Sequence, residues 1–258
     1  MLETFLAESK SEQSSSQISD TLGLNRGRVF RILSTLEKQG YVRQDPVTKR
    51  YRLGLKLFEL GQAVARDFDL PRICAPILAD LTAATGETSY VFALDGLEAV
   101  TVAKHECSLP SRIAAEVGRR YTLETGAACN CLLAYLPEDQ IDRALGTGPL
   151  PRLARNTLTD PATVKRKLAE IRQLGYHLSI EEDQDGITAL AAPIRDEAAV
   201  VVAAVAVAVP TPRFAPEKLP MFISEIQAAA RRISVEIGCP QDALHPPNET
   251  GVASPPAI

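Results

Sequence analysis

The sequence contains no tryptophan, and Phe, Tyr and Trp together make up 5% of its 258 residues. Stacking platforms for single-stranded nucleic acid need many aromatic side chains, so that mode of binding is disfavoured. The five cysteines (Cys74, Cys107, Cys129, Cys131 and Cys239) form no CxxC pair. That removes zinc ribbons and thioredoxin-type dithiols, and leaves reduced thiols of a cytosolic protein as the expectation. The longest apolar run, Ala198 to Val209, has 12 residues and is too short to span a bilayer. No charged, apolar, then small-residue leader opens the chain, so a cytoplasmic protein with no membrane partner is expected. GxGxxG, P-loop, HExxH and GxSxG motifs are missing as well, and nothing in the sequence calls for a cofactor. One weak metal candidate exists, His105-Glu106-Cys107 with Cys129 and Cys131. A zinc deaminase site needs His-x-Glu and CxxC, whereas here the pairs are His-Glu and C-x-C. A metal-dependent enzyme stays open as an alternative only through this cluster.

The formal net charge of −4 argues by itself against nucleic acid, but the distribution of charge points the other way. Residues 1–70 carry a net +2 and the remainder −6; within Asn25–Lys56, nine basic residues face only Glu37 and Asp45. A small basic segment on an acidic body points to one end meeting an anionic polymer. Over the same region Ile18, Leu22, Leu24, Val29, Ile32, Leu33 and Leu36 fall at helical spacing in two blocks. Gly23 lies between the blocks, Asn25 is placed to cap the second, and Gly40 to end it. This is a helix-turn-helix signal. Tyr41–Gln44 and Arg50–Leu53 flank Asp45-Pro46 and predict a hairpin, the wing of a winged helix.

Further along, Leu55 to about Val64 predicts an amphipathic linking helix, and a second helix runs from Leu70 to Gly86. Ser89–Leu94 and Ala99–Lys104 predict strands around the turn signal Asp95-Gly96. Ala127–Leu136 predicts a helix stopped by Pro137, and Asp160-Pro161 the capped start of another ending at Gly175. Tyr176–Ile180, Ile187–Ile194 and Ala199–Val209 predict strands, the last two central, and Pro216 opens a final helix ending near Gly238. The overall class is α+β. A winged helix-turn-helix occupies 1–54, a linker helix 55–69, a domain with helices around one sheet 70–239, and a proline-rich tail expected to be disordered 240–258.

The stretch SDTLGLNRGRVFRILSTLEKQGYVRQDPVTKRYRLGLKLFELG resembles the N-terminal signature of the IclR family of transcriptional regulators. EVGRRYTLETGAACNCLLAYLP, the EED before Gly186, ALAAPIRD and AAVAVAVP resemble its C-terminal signatures, in the same order and spacing. The resemblance implies a GAF-like effector-binding domain behind the winged helix, double-stranded operator DNA and a small-molecule effector as partners, and a homodimer or tetramer. It also implies a regulator and no enzyme; a GAF-type sensor acting through protein contacts alone is the alternative.

On that reading the second helix enters the major groove, where its N-terminal side chains read bases. Asn25, Arg26, Arg28 and Arg31 are the candidates there, Lys49 and Arg50 approach DNA from the wing, and Phe30 either packs in the core or touches a thymine methyl. For the effector, the resemblance implies a cup walled by Ala127, Ala128, Cys129, Ser179, Ile187, Ala189, Ala206 and Ala208. Amides at the helix start would hold an anionic end, with Asn130, Arg112 or Arg119 as added donors. Relatives carry Cys or Ser where this chain has Ala189, Ala206 and Ala208, so a roomier, more apolar cup is expected. It suits an aromatic or medium-sized organic acid. The run Glu181-Glu182-Asp183 with Asp185 is expected to be a solvated turn from which one carboxylate meets the ligand, and His177 is expected to pack or lie at the surface.

Overall fold

The computed structural model describes residues 1–6, 11–67, 69–109 and 115–244. The chain divides into two compact units, Met1–Asp69 and Leu70–Ile258.

In the first unit, helix α1 (Ser15–Leu22) opens on a reciprocal cap between Ser14 and Gln17 and stops at Gly23, whose φ of 63° is the left-handed conformation that glycine adopts freely. Helix α2 (Arg26–Lys38) is capped by Asn25, whose Oδ1 accepts from the Arg28 amide at 3.1 Å. Strands β1 (Val42–Gln44) and β2 (Tyr51–Leu53) pair antiparallel as the wing, and Gln13 adds a bridge to Tyr51. Asp45 Oδ1 accepts from the amides of Val47 and Thr48 and shapes the turn. Gly54 closes the hairpin against the end of α2: a Cβ there would lie 2.0 Å from the Gly40 carbonyl oxygen, so no other residue fits without moving the backbone. Phe5, Ile18, Val29, Leu33, Val42 and Tyr51 form the core. Helix α3 (Leu55–Asp67) follows. The chain opens on a 3-10 turn, Leu2–Phe5.

Among the described residues of the second unit, six strands form one sheet in the order β5-β4-β3-β8-β7-β6, antiparallel at every step. They are β3 (Thr88–Asp95), β4 (Glu98–His105), β5 (Arg120–Thr122), β6 (His177–Ile180), β7 (Ile187–Arg195) and β8 (Val201–Pro210). The near-continuous apolar runs of β7 and β8 arise because helices cover both faces of an antiparallel sheet. Helices α4 (Leu70–Thr85) and α8 (Leu219–Glu236) cover one face, packing on Val91, Leu190, Ile194, Val205, Val207 and Val209. Helices α5 (Ala127–Leu133), α6 (Glu138–Leu145) and α7 (Pro161–Leu174) cover the other, over Ala191, Ala204 and Ala206. Two-residue periodicity sorts β8: valines 205, 207 and 209 face α4 and α8, and alanines 204, 206 and 208 face α5. A fork from Arg213 to both oxygens of buried Glu87, 2.9 and 2.6 Å, ties the turn after β8 to the start of β3.

Three expectations change. Strand β5 and helix α6 carry too short a pattern to stand out in the sequence. The tail does not begin at 240, because Gln241–Leu244 forms a 3-10 turn; the rest of the expected disordered segment, 245–258, lies outside the described residues. Phe30 does not pack in the core: it is 58% exposed, one position past buried Val29 and so rotated about 100° away. Leu33→Ala is expected to lower the stability of the first unit by about 2–5 kcal/mol, and Phe30→Ala by less than about 0.5 kcal/mol. Denaturant unfolding followed by far-UV circular dichroism on both variants checks the contrast.

Candidate functional site

On the first unit, the N-terminal half of α2 presents Arg26, Arg28, Phe30 and Arg31 as exposed side chains, with Asn25 exposed at the cap. Their placement follows from the buried pair Val29 and Leu33, which turns the opposite face outward. Arginine there is suited to guanine O6 and N7, at about 1–3 kcal/mol of discrimination per bidentate pair. Asn25 is partly committed, since its side-chain oxygen caps the helix. At the wing, Lys49 is exposed with a φ of 57°, a strained conformation for a lysine, which aims the loop tip outward. Arg50 is exposed but donates from Nη1 to the Glu12 carbonyl at 3.2 Å, so part of its guanidinium braces the wing.

On the second unit, a cavity of about 580 Å³ opens between the sheet and the start of α5. That is within the range of whole-ligand pockets. Ala127, Ala128, Cys129, Ser179, Ile187, Ala189, Ala206 and Ala208 all line it. Register explains the grouping: Ser179 stands opposite Ala189, Ala189 opposite Ala208, and Ala206 opposite Tyr90, all on the face toward α5. Asn130 is not among the lining residues. It lies a turn below the helix start, buried, and its amide bonds to the Gly126 carbonyl at 3.0 Å. The amides of Ala127, Ala128 and Cys129 precede this first intrahelical bond, and no side chain caps them. Gly126, at φ 83°, makes the turn, and a Cβ on it would press against Asp183 at 3.4 Å.

The remaining wall is absent from the expectations. Tyr90 and Phe92 on β3, Tyr121 beyond β4, and Leu153 supply apolar surface, while Thr125 and Gln184 add hydrogen-bonding groups. A period-two pattern marks Tyr90 and Phe92 as one face of a strand, but only the pairing of β3 with β8 carries them to the cup. Arg119 and Arg120 both reach the mouth and differ in commitment. Arg120 is held by Asp95 at 2.5 Å and Glu98 at 2.7 Å, whereas Arg119 lies over the Tyr121 ring, 5.0 Å from its centroid. Arg119 is therefore the cation best placed for an anionic ligand. Arg112 lies outside the described residues. Burial pushes the Cys129 and Cys131 thiols up, which keeps both protonated and poor nucleophiles. Among the described residues no group of three or more His, Cys, Asp or Glu is arranged to hold a metal ion.

The acidic run is not a solvated turn throughout. Glu181 is buried and pairs with Arg155, Glu182 is largely buried, and of the three only Asp183 stands exposed, at the mouth of the cup. The reversal after β6 folds the run back under the sheet edge, which sequence polarity does not reveal. His177 is buried on the same face of β6 as Ser179, with its Nε2 3.6 Å from Glu182 Oε2. Burial pushes the Glu182 carboxyl up to about 7 and the His177 imidazole down to about 4, so both are neutral between those values.

These two features, an exposed basic recognition helix beside a wing and a sheet domain with an open cup, define a class: winged-helix transcriptional regulators with a second, cup-bearing domain. Comparison with known proteins agrees. The model for the IclR helix-turn-helix domain matches residues 4–46, and that for the bacterial transcriptional regulator IclR C-terminal region matches 62–235. HTH-type transcriptional regulator KdgR of Escherichia coli K12 is 31% identical over 86% of this chain and 84% of its own length. HTH-type transcriptional repressor AllR of Klebsiella pneumoniae is 32% identical over 91% and 86%. The crystal structure of an IclR transcriptional regulator from Alicyclobacillus acidocaldarius superposes with a TM-score of 0.82 at 28% identity, covering 91% of this chain and 94% of that one. The chain belongs to the IclR family and is a DNA-binding transcriptional regulator.

The neutral Glu182–His177 pair gives a prediction with a defined sign. Between pH 4.5, the ordinary carboxyl value, and about 7 the native Glu182 holds more protons than the unfolded one, so its contribution to stability falls as pH rises. Between about 4 and 6.5 the native His177 holds fewer protons than the unfolded one, so its contribution rises with pH. The two oppose each other in the wild type. Glu182→Gln is expected to leave the histidine part uncovered and to make the slope of stability against pH more positive between pH 5 and 6.5. The change is at most about 1.4 kcal/mol per pH unit. Urea unfolding of both proteins across that range measures it.

Proposed function

We propose that this regulator represses transcription from operator DNA in the cytoplasm and is switched by an organic acid with a substantial apolar body, bound in the cup. The observation that carries this reading is the cup's make-up: a long apolar wall of Ala189, Ala206, Ile187, Phe92 and Leu153 leads to Arg119 and the free amides at the start of α5. An apolar body fills the first and an acid group takes the second. The naming of relatives as transcriptional regulators supports a regulator rather than an enzyme. We also propose a homodimer as the DNA-binding form. Leu55, Phe58 and Leu60 on α3 are 81%, 65% and 44% exposed, an apolar surface that a second copy would cover. A pair also sets two recognition helices about 34 Å apart, one turn of DNA. The domain limits that go with this reading are 1–54 for DNA, 55–69 for the link and 70–239 for the effector.

Thermal shift of the purified protein tests the effector. Benzoate or phenylacetate is expected to stabilise it, by about 2.7 kcal/mol at a hundredfold excess over Kd, and Ala206→Phe to remove the effect by filling the cup. Stabilisation by glyoxylate or pyruvate and by neither aromatic acid would refute the proposal.

The DNA face gives a second expectation. Arg28→Ala weakens binding to the promoter DNA upstream of its gene more than to random DNA, whereas Lys49→Ala weakens both alike and makes the salt dependence shallower by about one unit. Fluorescence anisotropy at several salt concentrations separates the two; equal losses on both DNAs for Arg28→Ala would overturn the docking.

A further inference from the structure

A second cleft, away from the cup, lies where the C-terminal end of α7, the end of β7 and α8 meet. Three arginines line it: Arg172 from α7, Arg195 from β7 and Arg231 from α8. The domain they belong to carries a net negative charge, yet among the described residues none of the three has a carboxylate within ion-pair distance. By contrast Arg120, Arg155, Arg213 and Arg232 of the same unit are each paired with one. Two of the three are also held in place. Arg172 Nη1 donates to the Ala134 carbonyl at 2.8 Å, and Arg195 Nη1 donates to the Ala199 carbonyl at 3.0 Å. The Arg195 guanidinium lies over the Tyr135 ring, 4.8 Å from its centroid, and the Arg195 amide is anchored by Ser234 Oγ at 2.9 Å. Each of these two fixed guanidinium groups keeps further N–H donors to spend. Arg231 is exposed and lines the cleft from α8.

We propose that this cleft binds the phosphate group of a small molecule, separately from the effector cup. Three like charges around one hollow repel each other, and an oxyanion turns that repulsion into attraction. A phosphate, with more oxygens spread tetrahedrally and up to two negative charges, matches three guanidinium groups better than a carboxylate with its two coplanar oxygens and single charge. The hollow is about 80 Å³, against about 580 Å³ for the cup, and well below the roughly 300 Å³ at which whole-ligand pockets begin. It therefore takes a head group, and the body of a phosphate ester would lie outside it. Fixed guanidinium groups add to affinity because little side-chain freedom is lost on binding.

Isothermal titration calorimetry on the full chain, at constant ionic strength in chloride, tests this with inorganic phosphate, glycerol 3-phosphate and acetate. The expected result is saturable one-to-one binding of phosphate, and at least about tenfold weaker binding in Arg231→Ala, the loss of one charge-assisted donor. Acetate is expected to bind more weakly than phosphate. Equal or tighter binding of glycerol 3-phosphate identifies the ester as the source and supports the site; tighter binding of free phosphate identifies the ion and supports it too. Ala206→Phe, which fills the cup, is expected to leave phosphate binding unchanged. No saturable binding up to about 10 mM, an unchanged affinity in Arg231→Ala, or equal affinity for acetate would overturn the proposal.

Discussion

The second unit depends on the two-residue periodicity of β8. A strand between two helical layers has no free face, so each side chain is assigned to one layer or the other, and a slip of one residue would exchange them all. Val205, Val207 and Val209 go to the layer of α4 and α8, where they complete a dense core. Ala204, Ala206 and Ala208 go to the α5 side: Ala204 is buried under the helices, and the cup is the space that the short side chains of Ala206 and Ala208 leave. Apolar walls without partners forgo dispersion contacts, which the apolar ligand proposed for the cup would recover. Packing and binding thus come from one alternation: the same strand that closes the core on one side keeps it open on the other.

Arginine serves two purposes in this protein, and its partners tell them apart. Those facing carboxylates, such as Arg213 on Glu87 and Arg155 on Glu181, join distant stretches of chain and have their charge neutralised. Those on α2, Arg119 at the cup mouth and those in the α7–α8 cleft face solvent, an aromatic ring or a backbone carbonyl, and keep their charge. An acidic body with a basic first segment then meets polyanionic DNA at one end only, since long-range repulsion disfavours the other. The unpaired arginines of the second unit act at short range, over a Debye length of about 8 Å in physiological salt. They suit single anionic groups rather than a polymer.

Much of this was legible in the amino-acid order. Helix-turn-helix and wing are local structures, set by caps at Ser14 and Asn25, by Gly23, and by the Asp45 turn, each acting within a few residues of itself. The residues of the cup wall were legible through likeness to a family: all eight expected in the wall lie in it, but Asn130, the added donor expected beside them, was placed wrongly. One further turn of helix carries it below the opening. Polarity misread the run Glu181–Asp183, and the period of α2 left Phe30 ambiguous.

By itself, then, the sequence determined the local elements, the basic face of α2 and the alternation in β8, because helical and strand periods act between near neighbours in the chain. Tertiary structure alone decided what those faces meet. The pairing of β3 with β8 brings Tyr90 and Phe92 to the cup from more than a hundred residues away. The packing of α7, β7 and α8 gathers Arg172, Arg195 and Arg231 around one hollow. The fold of the chain behind β6 buries Glu182 beside His177 and shifts both toward neutrality. The reason is common to all three: strand register, helix packing and desolvation are properties of surfaces assembled from distant segments, and no segment carries them alone.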